Sequence, residues 1–385
     1  MSQTADTPFG LSQAVSAGNR FPCENCGSSL AFSPGEDSLK CPSCGHVNPI
    51  PTSDVAVEEQ DYQRALRQLE SAAVTETTQA VKCDACAAEF TLPEGVHAQD
   101  CPFCGTPIVT ETGPNKHIKP HAVAPFVVTD KQAHDSFNGW LGGLWFAPGD
   151  LKAYARQDER LRGVYVPYWT FDCDTHSRYQ GSRGTAHKVR RPTTVMRNGK
   201  RVRVMRTEVR MRWRPVAGQV RRFFDDVLVL ASYSIPPRMT EGLLPWRLEQ
   251  LVPYQEAYLS GFISEAYGTH LDAAFADACG VMNRTIRRDV ARDIGGDAQR
   301  ISRIRTQRSN ISFKHVLLPI WMATYRYGGK PYRFIINGQT GKVYGERPYS
   351  IWKIAGAIVL ALILLLILAV VFAAGQGIDL TNLSY

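Results

Sequence analysis

The spacing of apolar and polar residues predicts a strand-rich domain over residues 126–349. Residues 164–171 form an aromatic run typical of a buried strand. Residues 269–294 carry apolar side chains at helical spacing and end at a glycine pair, which predicts a long helix. Residues 316–344 predict a three-stranded meander with two glycine-containing turns. The run Val-Tyr-Val-Pro-Tyr-Trp over 164–169 resembles Val-Leu-Leu-Pro-Ile-Trp over 316–321, which suggests two related β-units that pack together.

A basic β-hairpin is predicted in the middle of this domain. Asn198-Gly199 favours a type I′ turn, across which Val195 would face Val202 and Thr193 would face Val204. Beyond it, Met, Thr, Val and Trp alternate with Arg and Glu over residues 205–214, which predicts one apolar and one basic strand face.

The end of the chain is strongly apolar. Residues 354–378 are 25 positions without a charge, enough to cross a hydrocarbon core of about 30 Å. Arg347 and Lys353 precede this run and Asp379 follows it, so the positive-inside rule places the N-terminal bulk in the cytosol. The pattern predicts a single-pass, tail-anchored protein of the plasma membrane, with its helix at 354–375 and a short tail at 376–385.

Cysteine spacing gives the sharpest chemical prediction. Each of two Cys-x-x-Cys pairs is followed, after fourteen residues, by another such pair. Two such turns bring four thiolates together in a tetrahedral site for Zn²⁺. The spacing of these pairs therefore predicts two zinc ribbons, with two structural zinc ions. Their ligands are Cys23, Cys26, Cys41 and Cys44 in the first, and Cys83, Cys86, Cys101 and Cys104 in the second.

The predicted fold class is α+β, with two small zinc ribbons, a β-rich mixed domain and one C-terminal transmembrane helix. Residues 1–20 contain no apolar signal segment and are expected to be disordered. The other predicted boundaries are ribbon one at 21–50, a helical linker at 51–80, ribbon two at 81–110, the α+β domain at 126–349, the transmembrane helix at 354–375 and the tail at 376–385.

Charge is distributed unevenly. Residues 183–222 contain 14 Lys and Arg and one Glu, so this segment carries a charge of +13. Because the whole chain has a net charge of +8, the rest of the chain carries −5. This hairpin suggests an anionic partner, with Arg201, Arg203, Arg210, Arg212 and Arg214 as candidate anion-binding residues. Three interpretations remain open: the anionic membrane surface, nucleic-acid phosphate, or a solvated sheet face. Both zinc ribbons are net negative, which favours protein partners for them.

The sequence indicates no catalytic constellation. Closed four-cysteine sites leave no open position for water, which argues against catalytic zinc. The Gly-Gln-Thr-Gly-Lys segment at 338–342 lacks the spacing of a phosphate loop and predicts a hairpin turn. Ser350 and Lys353 have the spacing of a nucleophile pair, but a lysine beside an apolar span is an expected interfacial residue. No enzyme activity and no small-molecule substrate are predicted.

Together, the paired cysteine knuckles, the two Pro-x-Trp runs, the Asn-Gly-Gln-Thr-Gly-Lys-Val segment at 337–343 and the terminal span resemble a bacterial family of zinc-ribbon membrane proteins. Its members carry labels such as primosomal protein N′ (replication factor Y), superfamily II helicase, or transcription-factor-IIB-type zinc ribbon protein. The resemblance implies metal binding at the eight cysteines. It does not carry helicase activity here, because the sequence has no nucleotide-binding motif. The function expected from the sequence is a non-catalytic membrane adaptor that binds protein partners and anionic lipid. The alternative is a membrane-tethered nucleic-acid-binding protein.

Overall fold

The computed structural model describes residues 21–28, 30–51, 57–70, 76–78, 80–82, 89–91, 98–100, 107–109, 115–151, 161–197, 200–265 and 267–375. The predicted disordered segment 1–20, the four cysteines of ribbon two and the tail 376–385 lie outside these residues. In the described part the chain is mixed α+β and rich in strands, as predicted. Its five α-helices are α1 (Tyr62–Glu70), α2 (Asp130–Gly142), α3 (Pro237–Gly242), α4 (Leu271–Ile294) and α5 (Ile351–Gly375).

Short strands dominate the N-terminal third. They are β1 (Ala31–Phe32), β2 (Ser38–Lys40), β3 (Val47–Pro49), β4 (Gln60–Asp61), β5 (Glu76–Thr78), β6 (Ala80–Lys82), β7 (Glu89–Thr91), β8 (Ala98–Asp100), β9 (Pro107–Val109) and β10 (Asn115–His117). Strands β1, β2 and β3 form one antiparallel sheet. Strand β6 pairs with β7 and β8 with β9, both in antiparallel orientation.

The main sheet is built on three very long strands. Its members are β11 (Ala122–Val123), β12 (Arg162–Arg197), β13 (Lys200–Leu230), β14 (Val252–Pro253), β15 (Ile263–Ser264), β16 (Ala298–Tyr327), β17 (Lys330–Asn337) and β18 (Val343–Gly345), together with β4. Strand β12 has 36 residues, far beyond the usual five or six, and lies between β13 and β16. The predicted meander is confirmed as β16, β17 and β18.

The two related β-units predicted from the Pro-x-Trp runs pack directly against each other. Strands β12 and β16 are antiparallel, and Val166 lies opposite Leu318, its equivalent in the other unit. Each unit also lends a short strand to the other, since β11 pairs with β16 and β15 with β12, both in parallel.

The hydrogen bonds of the two tryptophans repeat this relationship. Nε1 of Trp169 donates to the Thr269 carbonyl at 2.9 Å, and Nε1 of Trp321 donates to the Val128 carbonyl at 2.8 Å. Helices α4 and α2 begin two residues after these carbonyls. The internal repeat is therefore a local two-fold relationship between two helix–strand–strand units.

Helix α4 covers one face of β12, β13 and β16. Its predicted apolar stripe is confirmed: Leu271, Ala274, Ala278, Met282, Ile286 and Val290 are buried. A capping box between Thr129 and Gln132 starts α2. Gly295, with φ at 65°, ends α4 in a conformation that glycine adopts without strain.

The N-terminal module, residues 21–51, packs into the domain. The Phe32 ring meets those of Tyr258 and Phe262 edge-on, and the Phe32 amide donates to the Ser260 carbonyl at 3.0 Å. Farther along the predicted linker, α1 buries Tyr62 against Phe171, and β4 pairs with β16. These described parts of the N-terminal third therefore share the hydrophobic core of the large domain.

Candidate metal centre, basic ribbon and membrane helix

Four cysteine sulfurs of the N-terminal module converge on one point. The Sγ atoms of Cys23, Cys26, Cys41 and Cys44 all lie within 4.8 Å of one another. Cys23 Sγ is 3.6 Å from Cys44 Sγ, and Cys26 Sγ is 3.5 Å from Cys41 Sγ. A tetrahedral ion with metal–sulfur bonds of about 2.3 Å needs sulfur–sulfur distances of about 3.8 Å. The group is therefore compatible with one metal ion. Cys83, Cys86, Cys101 and Cys104 lie outside the described residues, and a second ion stays a prediction.

The two knuckles have the same backbone geometry. Gly27 and Gly45 have φ values of 72° and 74°, and their amides donate to the carbonyls of Cys23 and Cys41, four residues earlier. Glycine permits this left-handed conformation without steric cost. Each turn places one buried and one exposed cysteine, and Cys23 and Cys41 are the buried pair.

The surroundings of the sulfurs favour thiolates at the exposed positions. Hydrogen bonds with the Ser28 side chain and backbone lower the pKa of Cys26 to about 6. The backbone amide of His46 lowers the pKa of Cys44. Desolvation raises the pKa of Cys23 to about 11, so this sulfur needs a cation to stabilise its thiolate form. A donor set of four thiolates suits Zn²⁺ among the common protein metals.

The predicted basic hairpin is the far end of β12 and β13. Strand β16 begins at Ala298, opposite Gly184, so beyond that point the sheet has two strands. Thirteen residue pairs, from Thr185–Arg212 to Arg197–Lys200, form this projection, which we call the basic ribbon. It contains ten Lys and Arg and one Glu. The predicted register is confirmed, because Val195 pairs with Val202 and Thr193 with Val204.

The candidate anion-binding arginines do not share one face. Side chains alternate along a strand, so Arg201 and Arg203 lie on one face of the sheet and Arg210, Arg212 and Arg214 on the other. The face with Arg201 and Arg203 also carries Met205 and Val209, which are 62% and 66% exposed. The alternation predicted over residues 205–214 is present in β13, but Arg201 and Arg203 continue its apolar face toward the tip, so that face is not purely apolar along the whole ribbon. Strand β12 adds Lys188 and Arg190 to the face that carries Met205 and Val209. Both faces of the ribbon therefore mix cations with exposed apolar side chains.

A second basic surface was missed in the sequence. Residues 284–308 contain eight Arg and three Asp, a net +5. The structure folds them into a groove between α4 and β16, lined by Asn283, Arg284, Ile286, Arg287, Ile301, Ser302, Arg303, Ile304, Thr306 and Arg308. Arg308 donates to Asn283 Oδ1 at 2.6 Å, and its Nε is buried without a partner among the described residues. The available signal was the spacing of arginine at 300, 303, 305 and 308.

An ionic cluster stabilises the sheet where β12 bulges. Lys314 Nζ lies 2.8 Å from Asp226 Oδ1, 3.1 Å from Glu59 Oε1 and 4.0 Å from Asp172 Oδ2. Burial raises the pKa of Asp172 to about 7, while a hydrogen bond with Asp172 lowers the pKa of Glu59 to about 2. Because Glu59 precedes β4, the cluster fastens the N-terminal segment to the main sheet.

Helix α5 is the candidate membrane span. Its residues Ile351–Phe372 are long and apolar enough to cross a bilayer, and none of this stretch is buried against the protein. The Ser350 amide donates to the Phe146 carbonyl at 2.8 Å, and Lys353 Nζ donates to the Ala147 carbonyl at 2.7 Å. The helix therefore starts in direct contact with the loop after α2.

The start of α5 and the tip of the basic ribbon lie at opposite ends of the long strands. Near α5, Tyr325 Oη donates to the Glu346 carbonyl at 2.9 Å, and Tyr327 Oη donates to Asp150 Oδ1 at 2.8 Å. From Tyr327 the path to the ribbon tip follows 29 residues of β16 and then 13 residues of β12. At about 3.3 Å per residue this path is roughly 140 Å long.

Comparison with known proteins finds a relative of similar extent. The uncharacterized protein YdjG of Bacillus subtilis (strain 168) is 26% identical over 341 residues, which cover 87% of this chain and 92% of the relative. No protein-family model matches the chain, and no solved structure matches it. The resemblance to zinc-ribbon membrane proteins therefore stays a prediction.

Proposed function

We propose that this protein is a non-catalytic adaptor of the plasma membrane that presents a basic β-ribbon to a partner in the cytosol. The single observation that carries the proposal is the position of the candidate membrane helix and the basic ribbon at opposite ends of the same long strands. The three-stranded part of the sheet continues into the two paired strands of the ribbon, so we expect the anchor and the ribbon to keep a defined relative position.

In this proposal the four cysteines of the N-terminal module hold a structural Zn²⁺ ion. The module contributes Phe32, Cys23 and Cys41 to the same core as Phe126 of the large domain. The ion would keep this part of the core closed, with no role in chemistry, because four thiolates fill a tetrahedral shell.

The ribbon is the surface that we assign to a partner. A two-stranded ribbon is marginally stable in water on its own, and this one exposes 69% of Met196 and 62% of Met205 among its arginines. Exposed apolar groups between cations suit a partner that offers both negative charge and apolar contact. The path length from α5 favours a soluble partner over the anionic membrane surface, which was one of the three interpretations of the hairpin from the sequence.

The test is photo-crosslinking in intact cells with the full chain. A photoreactive residue replaces Met205 on the ribbon. In the matched control it replaces Leu244, which is 45% exposed on the rest of the large domain, called the body below. We expect a discrete adduct from the Met205 position and none from Leu244. A second variant carries the photoreactive residue at Val204, on the opposite face of the ribbon. If neither the Met205 nor the Val204 position gives an adduct, the adaptor role of the ribbon is wrong.

A nucleic acid is the second candidate partner, and the arginine groove favours it. Arg284, Arg287, Arg303 and Arg308 line the groove, and no carboxylate lies within ion-pair distance of them among the described residues. Phosphate contacts release counterions, so duplex DNA binding by the purified chain should weaken steeply with salt. Arg284→Ser with Arg287→Ser should reduce the salt slope by about two, one per phosphate contact. Lys330→Ser, an exposed change at the other end of the sheet, serves as control. A flat salt response would exclude this candidate.

A further inference from the structure

The loop after α2 presents two aromatic side chains to the outside. Trp145 is 80% exposed and Phe146 is 40% exposed, whereas Leu144 and Ala147 on either side of them are buried. Backbone bonds from Trp145 to the Gly143 carbonyl and from Ala147 to the Leu144 carbonyl stiffen the turn. The buried pair fixes the loop to the body, so the exposed pair is held in a defined place.

That place is beside the first turn of α5. The hydrogen bonds from Ser350 and Lys353 to the carbonyls of Phe146 and Ala147 join the loop to the helix. Trp352, which is 88% exposed, lies in the same turn of the helix. Three large aromatic side chains therefore gather around the point where the helix leaves the body.

The apolar run sets the level of this point in a bilayer. Lys353 is the last charge before residues 354–378, which are uncharged. The part of this run that the structure describes as helix, 354–375, has 22 residues and extends about 33 Å, slightly more than the hydrocarbon core of about 30 Å. Lys353 therefore lies at the headgroup level if the helix spans, and its bond to Ala147 brings the loop to the same level. Tryptophan prefers this depth, because its ring is apolar and its N–H is polar.

We propose that Trp145 and Phe146 insert into the headgroup–acyl boundary of the membrane that α5 crosses. This inference rests on the proposed membrane anchoring. Its occupant is lipid, because the patch is continuous with the candidate span and at the level of its first charge. The domain then meets the membrane at two points, the helix and the loop, and two points restrict its tilt where one would allow it to swing.

The test is fluorescence quenching by lipids brominated near the headgroup, with the full chain in liposomes. The protein has seven tryptophans, and Trp145 and Trp352 are the two expected at the lipid. We expect Trp145→Phe to lose about half of the quenchable emission, since one of two lipid-facing rings is removed. Trp213→Phe, on the sheet near the ribbon, is the matched control and should lose none. At 80% exposure, Trp145 can change to Phe without disturbing the core.

Two readouts separate the failure of this inference from the failure of membrane anchoring. If alkaline carbonate extracts the protein and Trp352→Phe removes no quenchable emission, α5 does not span and both proposals fall. If the protein resists extraction and Trp352 is quenched, but Trp145→Phe changes nothing, only the loop insertion is overturned. The loop would then face solvent or another protein.

Discussion

At the scale of single residues, two of the four cysteines of the N-terminal module belong to the hydrophobic core as well as to the candidate metal site. Cys41 is 1% exposed and belongs to the core cluster that contains Phe126 and Tyr258. We expect Cys41→Ser to remove one zinc ion per chain and to lower the unfolding temperature, because apparent zinc binding of about 10–16 kcal/mol is coupled to folding of such modules. Metal analysis and thermal unfolding measure the two effects.

Cys279→Ser is the control for this experiment. Cys279 is a partly buried thiol on α4, outside the cluster of four. It should keep the full metal content and nearly the full unfolding temperature. Unchanged zinc in Cys41→Ser would contradict the proposed site.

Lys314 gives a prediction with a defined pH dependence. Its side chain is 9% exposed among three carboxylates, so Lys314→Met should cost about 3 kcal/mol of stability by leaving buried negative charge uncompensated. Burial already raises the pKa of Asp172 to about 7, so the folded state binds a proton that the unfolded state releases between pH 4 and 7. Stability from Asp172 therefore falls as the pH rises through that window.

The variant should accentuate this trend. Without the cation the carboxylates hold their protons more tightly, and Lys314→Met should be most impaired at pH 8 and partly recover at pH 6. Thermal unfolding at both pH values measures this, with Lys330→Met at an exposed position as control. An equal loss at pH 6 and pH 8 would show that the lysine acts through packing alone.

At the scale of elements, the basic ribbon should be separable from the fold. Among the described residues, β16 stops pairing at Gly184, and the Ala186 amide donates to Asp297 Oδ2 at 2.7 Å, so the deletion begins beyond this contact. We expect deletion of residues 187–210, with Ala186 and Met211 joined by Asn-Gly, to leave the unfolding temperature within about 2 °C, because little buried apolar surface is lost. The shortened chain should no longer co-purify with the partner that the full chain captures through position 205. Unfolding of the shortened chain would mean that the ribbon packs on the body.

The hairpin register and the buried face of α4 could be predicted because they depend on local periods of two and 3.6 residues. The length of β12 could not. Gly181 and Gly184 interrupt its pattern like turn residues, yet a Cβ at Gly181 would clash with the Arg300 carbonyl oxygen. Glycine there allows close approach of β16, a contact across more than a hundred residues. That Arg201 and Arg210 lie on opposite faces of the sheet follows from their odd and even positions in one strand. Predicting it required treating residues 200–214 as a single continuous strand.

At the scale of the whole molecule, the sequence separated parts that the structure joins. Ser260 Oγ donates to the Leu30 carbonyl at 2.6 Å across 230 residues, and β11 and β15 exchange between the two repeat units. No local pattern specifies such contacts. The zinc ligands were predictable because two short turns define them, whereas the docking of the N-terminal module and the arginine groove needed the assembled sheet.

The length of the assembled sheet gives a test between two proposed partners for the ribbon. If the body is fixed at the membrane by α5, the ribbon tip lies up to about 140 Å away along the strands, well beyond a Debye length of about 8 Å. Met196, which is 69% exposed near the tip, can be changed to Trp as a reporter. We expect its emission to be unaffected by brominated lipids in zwitterionic and in anionic liposomes alike. Trp352 in the same sample confirms insertion. Quenching at position 196 only in anionic liposomes would place the ribbon on the lipid surface and replace the soluble partner with the membrane itself.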